Sequence, residues 1–215
     1  MFDLKKAFSH RAPDEKVAFD VQSICDGHHH VTYRGVKAIR CPFDYLLYQM
    51  ILCEVMPDLV IEIGTNQGGG ALYLADLMNN LDCGIVHTID LDSTPHPLVA
   101  AHPRIRYFTG GWQQYDLDAA RDFSKILVIE DGAHTYEETL QAMLKFAPLV
   151  TRGSYLIVED GIIDELGMTD EYQGGPLLAI REFLETHSEF SVDRSRCDLF
   201  GKNATFNVNG YLKKS

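Results

Sequence analysis

Five short runs of apolar, largely β-branched residues recur along the chain, and each is typical of a strand buried on both faces of a parallel sheet. They occupy residues 58–64, 84–90, 104–110, 125–131 and 153–160. Between them, apolar residues recur at three- and four-residue spacing, as at Ala71, Leu74, Ala75 and Met78, which predicts helices. This alternation predicts an α/β fold with a doubly wound, mostly parallel sheet and right-handed crossovers.

The segments on either side of this alternation have a different pattern. Residues 1–57 are mostly helical in character, and we expect them to form a cap or lid over a core that spans residues 58–215. Thr135 and Glu138 have the spacing of a capping box, which predicts a helix start there. Residues 199–214 are typical of a β-hairpin. Because there is no linker or internal repeat, the sequence predicts one domain of 215 residues.

Composition and charge narrow the function classes. Asp and Glu outnumber Lys and Arg by 31 to 19, and no basic cluster of the kind that binds phosphates is present. We therefore expect no nucleic-acid partner. The N-terminus has no apolar signal region and no apolar run approaches ~18 residues, so we expect no membrane segment. Five cysteines without a CxxC pair fit reduced thiols, and these features together predict a soluble, cytoplasmic protein.

Residues at the ends of the predicted strands carry the candidate chemistry, because ligands of such sheets bind beyond the carboxyl ends of the strands. Six carboxylates lie there: Glu62, Asp90, Glu130, Asp131, Glu159 and Asp160. An acidic residue at a strand end can simply cap the next helix. Six of them together with a glycine-rich loop indicate a binding site.

The glycine-rich loop after the first strand indicates a nucleotide-like cofactor. Gly64 allows the positive φ of a tight turn, and Gly68–Gly70 allow a ligand to approach the backbone closely. The spacing differs from the GxGxxG of dinucleotide folds, so a simple packing turn is an alternative. Asp90, at the end of the next strand, could accept hydrogen bonds from both hydroxyls of a ribose. Together they indicate a nucleoside-containing cofactor, with NAD and S-adenosylmethionine as alternatives.

Asp131, Glu159 and Asp160 end two strands that we expect to be neighbours in the sheet. Three carboxylates in one place repel one another unless a cation neutralises them. Oxygen ligands favour a hard ion such as Mg²⁺, which keeps positions open for water and substrate oxygens. A dehydrogenase has no obvious need for this set, so the carboxylates favour S-adenosylmethionine over NAD.

Several stretches of the chain resemble the cephalosporin hydroxylase family of class I S-adenosylmethionine-dependent methyltransferases. They are PDLVIEIGTNQGGGALYLA, IEDGAHTYEE, GSYLIVEDG and the C-terminal block that runs from GGPLLAIREFLETH to NVNGYLKK. The resemblance runs from about residue 33 to the end. It implies a Rossmann-like core and a metal site similar to that of the catechol O-methyltransferases. It also implies S-adenosylmethionine and Mg²⁺ as cofactors.

The resemblance further implies roles for individual residues. The positions that match the cofactor site are Glu62, Gly64, Thr65, Asn66, Gly68, Gly70, Asp90, Gly111, Trp112, Gln113 and Asp131. Asp90 is the expected ribose ligand, and the loop with Trp112 is expected to enclose the adenine. The metal positions are Asp131, Glu159 and Asp160. His134 falls where catechol-type enzymes have a catalytic lysine, so His134 and Asp131 are the expected catalytic residues.

One departure from the family pattern concerns the glycine loop. The family has Gly-Gly-Ser where this chain has Gly68-Gly69-Gly70, so a hydroxyl that could hold the methionine carboxylate of the cofactor is missing. Structural alternatives exist for other residues: Trp112 could belong to the core, and His134 could bond the loop backbone. For the three consecutive histidines at 28–30 we expect an exposed turn.

The leading hypothesis is an O-methyltransferase in which Mg²⁺ chelates two acceptor oxygens and His134 takes the hydroxyl proton. The expected acceptor is a hydroxyl of a sugar or natural product, as in antibiotic biosynthesis. The first alternative is an oxygenase with Fe(II) in the same acidic site, although these strand ends lack a two-histidine, one-carboxylate set. The second is a non-catalytic partner that only binds the cofactor. We also expect a homo-oligomer, because a lid-bearing edge often meets a second subunit.

Overall fold

The computed structural model describes residues 12–91 and 94–215. The N-terminal segment consists of α1 (Val21–His28), the strands β1 (Thr32–Tyr33) and β2 (Val36–Lys37), and α2 (Pro42–Val55). The larger sheet contains β3 (Leu59–Ile63), β4 (Ile85–Ile89), β5 (Ile105–Phe108), β6 (Ile126–Glu130), β7 (Tyr155–Val158), β8 (Phe190–Val192) and β9 (Tyr211–Lys214). The remaining helices are α3 (Gly69–Asn80), α4 (Pro97–Ala100), α5 (Tyr136–Phe146), α6 (Gly175–Thr186) and α7 (Arg194–Cys197).

Seven strands form one sheet in the order β5-β4-β3-β6-β7-β9-β8. The first five strands in this order are parallel, and β9 is antiparallel to both β7 and β8. The strand order reverses at β3, which has β4 on one side and β6 on the other. The carboxyl ends of β3, β4, β6 and β7 therefore meet around one crevice, as expected for a doubly wound sheet. The α/β fold predicted from the sequence is confirmed.

The strands are continuously apolar because the sheet is covered on both faces. Ile61 of β3 belongs to a core layer that contains Met143 of α5. Its neighbour Val60 points to the other face, where Leu74 of α3 and Ile51 of α2 pack. Successive side chains of a strand alternate between faces, so a strand with helices on both sides needs apolar residues at every position.

The C-terminal residues differ from the predicted hairpin. Within 199–214, the only strand that the structure assigns is β9, and its antiparallel partners are β7 and β8. The preceding residues form turns because they bond to α2 instead of to a strand: the Phe206 amide and the Thr205 hydroxyl donate to the carboxylate of Asp44. The prediction of a hairpin within 199–214 is therefore wrong.

The start of α5 is also only partly as predicted. Thr135 is the N-cap residue, so the helix begins where the sequence indicated. Its side chain makes no cap hydrogen bond, and the carboxylate of Glu138 accepts a hydrogen bond from Trp112 instead. The capping box is therefore wrong, and Glu138 has a different function.

The N-terminal segment packs α2 on one face of the sheet, and its β1–β2 hairpin packs against α3 and α4. Residues 1–11 of the expected lid lie outside the described residues, and the rest includes the β1–β2 hairpin beside the two helices. No helix in the described ranges is long and apolar enough to cross a membrane.

Candidate active site

A cavity of about 590 Å³ opens at the carboxyl ends of β3, β4, β6 and β7. Its wall contains most of the residues that the sequence singled out: Glu62, Gly64, Thr65, Asn66, Gly70, Asp90, Gly111, Trp112, Gln113, Asp131, His134 and Asp160. Two expected residues, Gly68 and Glu159, do not line it. The cavity therefore brings the expected cofactor and acidic residues into one space.

Two glycines shape the loop that leaves β3. Gly64 has φ +96°, and a Cβ built on it would lie 1.8 Å from the carbonyl oxygen of Asp131. The backbones of β3 and β6 can approach this closely only without a side chain at residue 64. Gly68, the N-cap of α3, has φ +88°, and its Cβ would collide with Val99 of α4. Gly68 therefore serves helix packing and does not face the cavity.

Asp90 holds the glycine loop as well as facing the cavity. One carboxylate oxygen accepts a hydrogen bond from the backbone N–H of Asn66 at 2.8 Å, and the other accepts one from Leu91 at 2.7 Å. Asn66 has φ +50°, which is uncommon for a residue with a side chain. The contact with Asp90 helps to fix this conformation at the point where the loop meets the cavity.

The loop that contains Trp112 is held by α5. The indole N–H of Trp112 and the side-chain amide of Gln113 both donate to Glu138, at 3.2 and 2.9 Å. The ammonium of Lys145, seven residues further along the same helix face, donates to the carbonyls of Trp112, Gln113 and Tyr115. From the sequence, Glu138 is assigned only to a helix cap, and Lys145 is assigned no role. Their two-turn spacing on one helix face was the available signal.

Asp131, His134 and Asp160 form a cluster at one side of the cavity. The Nε2 atom of His134 lies 3.3 Å from Asp160 Oδ2 and 3.8 Å from Asp131 Oδ1. One potential metal-ligand atom from each residue lies within 4.8 Å of the others. Burial, together with the charge of Glu159, raises the pKa of Asp131 well above its usual range. His134 and Asp160 both have φ +57°, so both backbones adopt a conformation that is often found at functional sites.

Glu159, the third expected metal ligand, is not a member of this cluster. Its carboxylate accepts hydrogen bonds from the Arg40 Nε at 3.0 Å and from the Tyr48 hydroxyl at 2.7 Å. Glu159 is 3% exposed, so its oxygens are committed to buried protein partners. The potential ligand atoms that the structure brings together are those of Asp131, His134 and Asp160.

Arg40 is the buried cation of the site. Its guanidinium lies within 3.5 Å of Glu62 and 3.1 Å of Asp131, in addition to Glu159. Burial alone would lower the pKa of Arg40, but the charge of Glu159 and the neighbouring acids raise it well above its usual range. The sequence analysis did not identify Arg40, because a lone arginine between apolar residues carries no motif.

The N-terminal segment contributes a further wall of the cavity. Cys25, His28 and His29 occupy positions i, i+3 and i+4 at the end of α1, so they share one helix face. All three line the cavity, and the ring of His28 packs edge-on against Phe206 at 5.2 Å. The expectation of an exposed turn is therefore wrong for His28. These three residues form a second group whose potential ligand atoms lie within 4.8 Å of one another.

Comparisons with known proteins identify the family of the chain. The family model described as rhamnosyl O-methyltransferase/CmcI matches residues 26–215. The rhamnosyl O-methyltransferase of Mycobacterium leprae is 30% identical over 189 residues, which cover 84% of this chain and 82% of the relative. The protein of the same description from Mycobacterium tuberculosis is 30% identical over 192 residues, covering 84% and 77%.

Solved structures show the same fold. A structure of CmcI with SAH has a TM-score of 0.66 at 20% identity and covers 100% of this chain and 92% of CmcI. A structure of CmcI with Mg and SAM has a TM-score of 0.60 at 21% identity, covering 100% and 85%. The match of the family model to nearly the whole chain confirms the resemblance described above. The chain belongs to the rhamnosyl O-methyltransferase/CmcI family.

Proposed function

We propose that this protein transfers the methyl group of S-adenosylmethionine to a hydroxyl of a sugar or other natural product, with Mg²⁺ bound beside the acceptor. Family membership makes it an S-adenosylmethionine-dependent O-methyltransferase. The observation that carries the rest is one cavity that holds both groups of expected residues. Gly64, Asp90 and Trp112 of the expected cofactor site line it together with Asp131, His134 and Asp160.

The charge of the cavity supports a sulfonium cofactor. Five carboxylates line it, from Glu62, Asp90, Asp131, Glu138 and Asp160. Such a wall repels the pyrophosphate of a dinucleotide, whereas it attracts the positive sulfur of S-adenosylmethionine. The ribose would meet Asp90, and the adenine would lie against the loop that Glu138 and Lys145 hold in place.

The acidic cluster fits a divalent cation. Asp131 and Asp160 present carboxylate oxygens to the cavity, and one oxygen of each lies within 4.8 Å of the other and of a ring nitrogen of His134. Oxygen-rich sets of this kind suit Mg²⁺ and Mn²⁺. A cation bound there would lower the pKa of an acceptor hydroxyl and orient its oxygen.

The protein itself must align the reactants and remove a proton. Methyl transfer is an in-line displacement, so the acceptor oxygen, methyl carbon and sulfur have to be held in a row. The base we propose is His134, because its Nε2 faces the cavity between the two aspartates. The same atom cannot both ligate a metal and take the proton, so these two roles of His134 are separable by experiment.

A binding and turnover experiment tests the proposal. Calorimetry with S-adenosylhomocysteine, with and without Mg²⁺, is followed by transfer of labelled methyl from S-adenosylmethionine to a panel of rhamnosides, other sugars and phenols. We expect cofactor binding, Mg²⁺-dependent methylation of a sugar or natural-product hydroxyl, and loss of activity in Asp131→Asn. Asp170→Asn, an exposed acid outside the cavity, is the matched control. Full activity in EDTA, or in Asp131→Asn, would contradict the metal-dependent mechanism.

Metal stoichiometry requires a second control. Cys25, His28 and His29 could bind a soft ion independently of the acidic cluster. Titration of Mn²⁺ into the wild type and into Cys25→Ser/His28→Ala separates the two groups. We expect the Mn²⁺ affinity that supports activity to depend on Asp131 and not on Cys25 or His28.

Two further properties stay predictions: the division into a lid (1–57) and a core (58–215), and the homo-oligomeric state. Light scattering of the purified chain measures the second directly.

A further inference from the structure

We propose that Arg40 binds the carboxylate at the methionine end of S-adenosylmethionine, and that Gly70 leaves the space for this contact. The inference rests on the proposed function, because it assigns a residue to one part of the proposed cofactor. It concerns a position where the chain lacks the hydroxyl that its family resemblance led us to expect.

The hydrogen bonds of the Arg40 guanidinium leave one nitrogen unused. Nε donates to Glu159 at 3.0 Å, and Nη2 donates to Asp131 at 3.1 Å and to Glu62 at 3.5 Å. Nη1 is buried and has no hydrogen-bond partner among the described residues. Buried N–H groups without an acceptor are rare and unfavourable, so a missing acceptor beside Nη1 calls for an explanation.

Gly70 lies beside this free nitrogen. A Cβ at residue 70 would be 2.9 Å from Arg40 Nη1 and 2.7 Å from Glu62 Oε1. Both distances are shorter than real Cβ contacts, so any side chain would push the guanidinium or the Glu62 carboxylate aside. Gly70 and Arg40 both line the cavity. Glycine at residue 70 therefore leaves the space beside Nη1 that any side chain would fill.

The location suits an anionic group. Gly70 is in the first turn of α3, a helix of 12 residues, and the N-terminus of a helix carries partial positive charge. The amino-acid end of S-adenosylmethionine has one ammonium and one carboxylate. The ammonium is compatible with the acidic wall of Glu62 and Asp131, whereas the carboxylate needs a cation or N–H donors. Nη1 and the start of α3 supply both at the same place.

Lys37 is the rival for this role. It also lines the cavity, but its side chain is partly exposed and belongs to the β1–β2 hairpin. Arg40 is 4% exposed and is fixed by three carboxylates. A buried, rigid donor loses little freedom when the ligand binds, which favours Arg40.

A pair of ligands tests the assignment without any metal. S-adenosylhomocysteine has the amino-acid end, and 5′-methylthioadenosine lacks it but keeps the adenosine and the sulfur. Calorimetry in EDTA gives the ratio of their affinities for each variant. Arg40→Met/Glu159→Gln removes the cation together with one buried acid, so charge balance is kept. We expect about a 10- to 100-fold loss of S-adenosylhomocysteine affinity, the effect of one charged hydrogen bond, and less than about a twofold change for 5′-methylthioadenosine.

Three further variants complete the design. Gly70→Ala keeps the arginine in the sequence but puts a methyl group against Nη1, so it should lower the same affinity ratio. This variant tests the assignment if the double variant does not fold. Glu159→Gln alone and Lys37→Met should keep the wild-type ratio. The assignment to Arg40 would be overturned if the ratio of the two ligand affinities were unchanged in the folded Arg40 variant or in Gly70→Ala. It would also be overturned if Lys37→Met lowered this ratio. Wild-type protein that binds neither ligand would instead refute the proposed function.

Discussion

Gly64→Ala is the substitution with the most direct consequence for both stability and activity. Gly64 has φ +96°, and the added methyl group would lie 1.8 Å from the carbonyl oxygen of Asp131. The left-handed backbone costs an alanine roughly 1–2 kcal/mol, and the overlap with a backbone atom adds about 1–3 kcal/mol, as other overpacked sites do. We therefore expect the free energy of unfolding to fall by about 2–5 kcal/mol.

The same substitution should impair catalysis in the molecules that remain folded. Ordinary contact begins at 3.4 Å, so the backbone of Asp131 has to move by more than an ångström to accept the methyl group. Asp131 carries one of the carboxylates proposed to hold the metal. A displacement of about 1 Å at a reacting centre can cost ~100-fold in rate, and we expect a loss of that order in kcat/KM.

Gly153→Ala is the matched control. Gly153 has φ +81°, and nothing lies within 4 Å of a Cβ built there, so this variant has the backbone cost without the overlap. Guanidinium denaturation at constant pH measures both variants, and the difference between them is the cost of the contact with Asp131. If Gly64→Ala is no less stable than Gly153→Ala, or transfers methyl at the wild-type rate, then the close approach of β3 and β6 does not have the importance assigned to it.

Three other predictions follow from the described contacts. Glu138→Ala frees the loop against which the adenine is proposed to lie, so it should weaken S-adenosylhomocysteine binding about tenfold in calorimetry, whereas the exposed neighbour Glu137→Ala should not. If the imidazole of His134 is the base, His134→Asn should lower kcat about 10²- to 10⁴-fold and leave the Mn²⁺ affinity nearly unchanged. A loss of Mn²⁺ affinity as large as the loss of kcat would instead make His134 a metal ligand. Burial raises the pKa of Asp44 to about 7, so its contribution to stability falls as pH rises from about 4 to 7. Burial lowers the pKa of His87 to about 4, so its contribution is lost as pH falls from 6.5 towards 4. Denaturation curves measured between pH 7 and pH 4 should therefore show that Asp44→Asn loses stability relative to wild type as the pH falls, whereas His87→Gln gains stability relative to wild type. Parallel pH profiles for the wild type and both variants would contradict these two pKa shifts.

The sheet could be predicted from the sequence because its strands are buried on both faces and bounded by polar turns. Ile61 and Val60 face different helices, yet both are apolar, and this continuous pattern identifies parallel strands without any partner being known. The C-terminal segment could not be predicted in the same way. Its backbone bonds to the carboxylate of Asp44, more than 160 positions earlier in the chain, and local spacing contains no information about such a contact.

The same distinction between local patterns and long-range contacts applies to the site. Asp90, Asp131 and Asp160 could be identified because each follows a strand, and strand ends converge in a parallel sheet. The hydrogen bonds of Glu159 could not be predicted, because they depend on the guanidinium of Arg40, which lies in the N-terminal segment, 119 positions earlier in the chain. Adjacent residues at a strand end face different directions, so Glu159 and Asp160 do not enter the same surroundings even though they are neighbours in sequence.

Arg40 gives the N-terminal segment an electrostatic role at the site. Its charge is the one that offsets Glu62, Asp131 and Glu159 in the described structure, and a buried carboxylate without such a partner is strongly unfavourable. Tyr48 of α2 adds a second bond from the lid to Glu159. The N-terminal segment therefore contributes to the electrostatics of the site. Asp131 belongs to the acidic cluster and is also bound by Arg40, so we expect a cation that binds at this carboxylate to compete with Arg40 for it.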